Sequence, residues 1–261
     1  MHTNTNKNTN KGSLVAERTL KALMLFSKKK NLFVSDVAKS LGISVTAAYR
    51  IIDTLHELDF IKRNENKTYS LESYNILQLY KMIENDLRSA ARPVLNELVN
   101  QIDESVYVSV LYKEKNFIYI DKEDSYSPFK WSTNIGEVLP LPTGTAGKTH
   151  LAYLVKDMDE VEKDLLISEL ELKPYTKNSI TDVEELKRSL NKVLEDGYCF
   201  TNSEHSNGVI GIAVPIFNWN HTQMVAVLGM HMLETNYSDE KLQDYLIPLL
   251  EGAKKIGVNL H

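Results

Sequence analysis

The sequence predicts an α+β chain of two domains: a small winged helix-turn-helix at the N-terminus and a larger C-terminal domain around an antiparallel sheet. Three observations predict it. Between residues 35 and 70, two amphipathic helical stretches meet at Gly42 and run into a basic hairpin. After Ser105 the apolar period shortens from helical spacing to alternation, the mark of strands. Charge also divides along the chain: residues 1–72 hold twelve Lys/Arg against seven Asp/Glu, and the rest hold eighteen against twenty-eight. A basic N-terminal part joined to an acidic C-terminal part is what a nucleic-acid module linked to a regulatory module would show.

Residues 1–11, MHTNTNKNTNK, are polar and of low complexity, and are expected to form a disordered tail. The winged domain is expected over 12–72. Its first helix runs from Leu14 to Ser27 with Ala16, Leu20, Leu23 and Met24 on one face, and Lys28-Lys29-Lys30 suits its C-terminus. Ser35 is placed to cap the second helix, Val37, Ala38 and Leu41 share its inner face, and Gly42 ends it. Ser44 caps the third helix, where Ala48, Ile51, Ile52, Leu55 and Leu58 point inward. Its other face carries Thr46, Tyr49, Arg50 and Asp53. Hydroxyls, an aromatic ring and a guanidinium suit base edges and phosphates, whereas Asp53 belongs off the groove. Strands at 60–63 and 68–71 make the wing. The residues expected to contact double-stranded DNA are Ser44, Thr46, Ala47, Tyr49 and Arg50 on the helix and Lys62, Arg63 and Lys67 on the wing.

A linker helix is expected over 73–88, with Ile76, Tyr80, Ile83 and Leu87 spaced as a short coiled-coil seam that packs on its own domain or on a second protomer. The C-terminal domain, 89–261, opens with a helix around Val94, Leu95 and Leu98. Strands follow at 106–112 and 117–120. Pro140, Pro142 and Gly144 break the chain before a helix over 146–155, and a polar helical stretch comes next. Thr181 and Glu184 read as a capping box for a helix through Leu186, Leu190 and Leu194, stopped by Gly197. Strands return at 209–217 and 224–232. Ser238 is expected to cap a last helix, in which Pro248 predicts a kink.

With 261 residues the chain is long enough for two cores. A single cysteine, Cys199, excludes an internal disulfide framework and fits a buried small hydrophobe in a reducing cytoplasm. No apolar run approaches a membrane span, and the first residues do not read as a signal peptide. Gly147-Lys148-Thr149 resembles the end of a phosphate loop, but Pro142 stands where that loop needs a glycine. His205, His221 and His231 lack tight metal-ligand spacing. Neither catalysis, nor a cofactor, nor a metal is expected.

From about Leu14 to Ile256 the chain resembles the IclR family of transcriptional regulators. Three stretches carry the likeness: Ala38 to Gly42 through Arg50-Ile51-Ile52 and Leu55; Leu139 to Lys148, similar to the family's LPLHATALGK block; and Gly197-Tyr198, Glu204, Gly208-Val209 and Ala213-Val214-Pro215. The resemblance implies a winged reader, a linker helix and a GAF-like α/β sensor domain for a small molecule, often an organic acid, in dimers or tetramers. It departs at Val45, Thr46 and Ala47, where the family often has Lys-Ser-Thr. It departs again in the pocket, where Thr201, Gly211, Gly229 and His231 stand at the positions that bind small keto acids in other members.

Two glycines in place of side chains suggest an enlarged pocket, walled by Trp131 and Leu139, for a larger or more apolar effector. Gly144, Thr145 and Ala146, at a helix start, are placed to receive a carboxylate, and a protonated His231 to pair with it. The expectation is a cytoplasmic, oligomeric DNA-binding regulator that senses an organic acid or aromatic compound and grips a palindromic operator. The alternative is a small-molecule-binding protein with weak or no specific DNA binding.

Overall fold

The computed structural model describes residues 12–82 and 86–260. The expected tail lies outside the described residues, as do Ile83 and the side chain of Tyr80 in the expected linker seam. Contacts divide the chain into two units between its fourth and fifth helices.

In the first unit, α1 (Leu14–Leu25), α2 (Val34–Leu41) and α3 (Val45–Glu57) are followed by strands β1 (Ile61–Arg63) and β2 (Tyr69–Leu71) and helix α4 (Ser73–Met82). Ala22, Phe26, Val37, Ala48, Ile52, Leu55 and Ile61 form the core. Fully burying aliphatic side chains such as Ile52 and Ile61 contributes about 1.5–3 kcal/mol each over leaving them exposed.

Three local expectations are corrected. Leu58, expected to point inward from α3, is exposed at the end of that helix. The face of α1 expected to turn inward is largely outside: Leu20 and Met24 are exposed, and the helix is anchored by Ala22 and Phe26. Ser35 does not cap α2. The helix starts two residues earlier, with Phe33 at its N-cap, and the Asp36 carboxylate reaches back to accept from the Phe33 N–H at 3.1 Å. Gly42 ends α2 at φ +62°, the left-handed turn that lets α3 start at once. Leu32 and Tyr69 exchange backbone hydrogen bonds at 3.0 and 2.8 Å, tying the loop before α2 to the wing.

The second unit is a six-stranded antiparallel sheet with helices on both faces. Its strands are β3 (Ser105–Tyr112), β4 (Asn116–Glu123), β5 (Val138–Pro140), β6 (Cys199–Asn202), β7 (Val209–Phe217) and β8 (Met224–Leu233), in the order β5-β4-β3-β8-β7-β6. Helices α5 (Asp86–Ile102) and α9 (Leu242–Val258) cover one face. Helices α6 (Gly144–Val155), α7 (Glu160–Ser168) and α8 (Val183–Asp196) cover the other.

Alternation sorts the side chains between the faces. In β7, Ile210, Ile212, Val214 and Ile216 meet α5 and α9, while Ala213 faces α6. Burial on both faces is why β7 reads as a nearly continuous apolar run. Strands β5 and β6 were not anticipated: β5 is three residues long and ends on a proline, and β6 is four. Helix α8 is capped not by Thr181 but by Asp182, whose side chain accepts from the Glu185 N–H at 2.8 Å. The last helix lacks the expected serine cap, since Ser238 leads into a short 3₁₀ turn, and Pro248 sits within α9.

Candidate functional site

Each unit carries one candidate surface. On the first, Ser44 caps α3, its Oγ accepting from the Ala47 N–H at 3.2 Å. The cap fixes where the helix starts. Burial of Ala48, Ile51, Ile52 and Leu55 then fixes its rotation. Thr46, Tyr49 and Arg50 are left exposed, and Ala47 is half-buried. Asp53 shares the exposed surface. On the wing, Lys62, Arg63 and Lys67 are all exposed; Lys62 stands 3.5 Å from Glu72, and Lys67 sits in the turn at φ +62°. Folding therefore leaves free one helix face and one hairpin edge with the cations that sequence reasoning selected.

In the second unit, a cavity of about 180 Å³ opens between the sheet and the start of α6. Thr201, Gly211 and His231 lie on one rung across β6, β7 and β8 and form its floor. Gly144 and Thr145 come from the start of α6, and Trp131 and Leu139 from the segment between β4 and α6. All seven were anticipated. Ala146 and Gly229 do not line the cavity: Ala146 is buried in the core beneath α6. Sequence reasoning missed Tyr119, Ser132, Thr133, Asn134, Glu137, Thr143, His205, Ser206 and Val209.

The glycines do not enlarge the cavity. A Cβ at Gly229 would stand 2.3 Å from the Tyr107 hydroxyl, because the Tyr107 ring occupies that space. A Cβ at Gly211 would stand 2.9 Å from Thr145 Oγ1 and 3.2 Å from Thr201 Oγ1. The space at Gly229 is thus taken by Tyr107, outside the cavity lining, and the space at Gly211 is bounded by the hydroxyls of Thr145 and Thr201, which do line it. The Tyr107 hydroxyl and Thr145 Oγ1 are 3.0 Å apart in a hydrogen bond. The Tyr107 ring stacks on His231 with centroids 4.7 Å apart.

Thr143 stands at the N-cap of α6 but gives the helix no side-chain hydrogen bond. The first amide of the helix to find a backbone acceptor is that of Gly147, bonded to the Thr143 carbonyl at 3.1 Å. The N–H groups of Gly144, Thr145 and Ala146 have no partner among the described residues. Gly144 has φ +60°, a left-handed turn at the head of the helix that glycine allows. Such a helix end is electropositive and ready for an anion.

Burial pushes the His231 imidazole down to about pKa 3, and neighbouring His205 adds to the effect. The shift disfavours the protonated His231 expected to pair with a carboxylate. His205 is also lowered by burial, with Glu137 opposing. The Glu137 carboxylate accepts from the Asn134 backbone N–H at 3.2 Å and side-chain amide at 3.3 Å. Lys122 donates to Ser132 Oγ at 2.6 Å, holding the strand-to-helix segment on the cavity.

Behind the cavity, Lys148 is buried and paired with Glu204 at 2.7 Å. The lysine of the phosphate-loop-like tripeptide is thus inside α6, committed to a carboxylate. Among the described residues no group of three His, Cys, Asp or Glu is arranged to hold a metal ion, and no helix is long and apolar enough to cross a membrane.

Comparison with known proteins bears on both surfaces. A family model for the bacterial transcriptional regulator IclR C-terminal domain matches residues 81–258, and one for the IclR helix-turn-helix domain matches 15–65. The HTH-type transcriptional regulator KipR of Bacillus subtilis is 27% identical over 92% of this chain and 96% of its own length. The HTH-type transcriptional regulator KdgR of Escherichia coli is 28% identical over 91% of this chain and 89% of its own. The crystal structure of Thermotoga maritima IclR is 27% identical, covers 94% of this chain and 98% of its own, and superimposes with a TM-score of 0.77.

Proposed function

Because this chain belongs to the IclR family and is a DNA-binding transcriptional regulator with a small-molecule-sensing C-terminal domain, we propose that the cavity at the start of α6 binds a polar carboxylic acid and that its occupancy sets the grip on DNA. The observation that carries this reading is the uncapped start of α6. The amides of Gly144 and Thr145, without a backbone partner among the described residues, open on a cavity whose Thr145 hydroxyl lies beside them. A carboxylate there accepts from the amides and meets the positive end of the helix dipole. The opposite wall offers Thr133, Asn134, Glu137 and Ser206. Asn134 and Glu137 already bond each other, but an apolar effector would cover the hydroxyls of Thr133 and Ser206, at about 1–3 kcal/mol for each left buried and unpaired. A hydroxylated acid satisfies them. The volume, about six times the share of one water in the liquid, suits a compact molecule.

On the DNA side, Thr46, Tyr49 and Arg50 face the major groove, with Ser44 and Ala47 at the helix start. Lys62, Arg63 and Lys67 contact the adjoining backbone. The protein acts in the cytoplasm as a homodimer or homotetramer on a palindromic operator. The exposed Leu20 and Met24 on α1 support self-association, because apolar surface of that kind marks an interface.

Thermal unfolding against a panel holding gluconate, pyruvate and benzoate tests the cavity. An acid at about a hundredfold over its Kd adds about 2.7 kcal/mol to the native state. Stabilisation by gluconate that Thr145→Val removes, with altered retention of an operator duplex, is the expected result. Stabilisation by benzoate alone overturns the polar reading, and no response to any acid overturns the site.

A further inference from the structure

The outward face of α3 carries apolar surface that the fold does not use. Val45 and Tyr49 are each 50% exposed, and neither joins the core of the first unit. Four residues apart, they stand one above the other on the helix. Val45 is the first helical residue after the Ser44 cap, so its backbone is pinned. As a β-branched residue in a helix it has one strongly preferred rotamer. Its methyl groups are thus presented outward in a fixed direction at the helix end that reaches base edges. Ala47, the next small residue of that turn, also has no hydrogen-bonding side chain. Val45 and Ala47 can meet a base edge only through apolar contact.

A base-pair edge in the major groove has one apolar feature, the C5 methyl of thymine. We propose that Val45 and Tyr49 read thymine methyl groups, so that this regulator selects an operator half-site by two thymines as well as by polar contacts from Thr46 and Arg50. The Cβ atoms of residues four apart on a helix lie about 5–6 Å from each other. Base steps are about 3.4 Å apart along one strand. The two thymines therefore fall about two steps apart. The proposal rests on α3 lying in the major groove and goes beyond that placement by naming the chemical group read.

The test begins with selection of binding sites from a random duplex library by the full-length protein. Each thymine of the selected site is then replaced singly by uracil, which lacks only the methyl. The expected result is two positions per half-site, about two steps apart, where uracil weakens binding about fourfold, the factor for losing one buried carbon. V45S removes both methyl groups and abolishes the thymine preference at one position. Y49A abolishes it at the other. Both variants keep the wild-type salt dependence, which a loss of phosphate contacts would change, and the wild-type thermal midpoint, which a loss of folding would lower.

Uracil tolerated at every position overturns the proposal. So does a V45S variant that still prefers thymine at both positions, and altered sedimentation of that variant would assign the face to a protein partner. Failure of the library to yield any site overturns the groove placement of α3 itself, and is seen before uracil is introduced.

Discussion

The ring of Tyr107 lies across Gly229, its register partner on the neighbouring strand, with the phenol oxygen 2.3 Å from where a Cβ at residue 229 would stand. The ring atoms Cζ and Cε2 are also within 3 Å of that point, at 2.4 and 2.9 Å. Gly229→Ala is expected to destabilise the C-terminal domain by at least the ~1–3 kcal/mol typical of overpacking. Tyr107→Leu in the same chain removes the obstruction and restores part of the loss. Denaturant unfolding of the two single variants and the double variant measures the coupling.

His150 is buried, its Nε2 3.0 Å from Ser109 Oγ and its Nδ1 without a partner. Burial lowers its pKa from 6.5 to about 3. The folded state then refuses a proton that the unfolded state accepts. Stability from this group is complete above pH 6.5 and is lost progressively as pH falls toward 3. Between pH 6.5 and one unit below, the loss is about 1 kcal/mol from this residue. His150→Phe, followed by denaturant unfolding against pH, should flatten the acid limb by that amount.

Lys148 and Glu204 form a nearly dry ion pair, with side chains 3% and 19% exposed. Glu204→Gln leaves the ammonium inside without an anion and is expected to cost about 3–5 kcal/mol. The double variant Lys148→Met, Glu204→Leu removes both charges and should lie closer to the parent protein than Glu204→Gln does. Thermal unfolding of the pair decides.

Since His231 is held neutral down to about pH 3, effector affinity should not follow an imidazole titration at residue 231. Calorimetric titrations from about pH 5 to 8 are expected to show the same pH profile in the parent and in His231→Gln. A profile that flattens only in the variant would show that the ring carries a proton when the effector binds.

Lys62, Arg63 and Lys67 are expected to neutralise phosphates. Arg63→Ala and Lys67→Ala should each reduce the slope of log affinity against log salt by about 0.9 without changing which sequence is preferred. Competition binding at several salt concentrations separates that outcome from a change in base reading.

Where a residue's role depended on neighbours in sequence, it was legible. The 3.6-residue spacing of Ala48, Ile51, Ile52 and Leu55 located α3 and its free face, and Gly42 and Gly197 marked helix ends, both left-handed in the structure. The start of α6 could be read as a candidate anion site because glycine, threonine and the end of an extended stretch occur together. What could not be read was set across the fold. No local signal shows that Tyr107 fills the space at Gly229, since 122 residues separate them and only strand register joins them. Glu137, His205 and Ser206 lie in irregular segments with no period, and they reach the cavity through the bonds and sheet edges that hold those segments. Capping was misplaced by two residues at Ser35 and by one at Thr181, because the neighbouring Asp36 and Asp182 supply the side-chain acceptors at those helix starts.

The alternation of β7 has a practical consequence for redesign. The isoleucines on one side of the strand are committed to α5 and α9, while the rung through Thr201, Gly211 and His231 belongs to the cavity. The two sets interleave in sequence but share no packing. A biosensor library restricted to the cavity set can therefore change which compound is detected while the residues that keep the domain folded stay untouched. Positions 211 and 229 should remain glycine in such a library, since the chain has already assigned their volume to a threonine and a tyrosine.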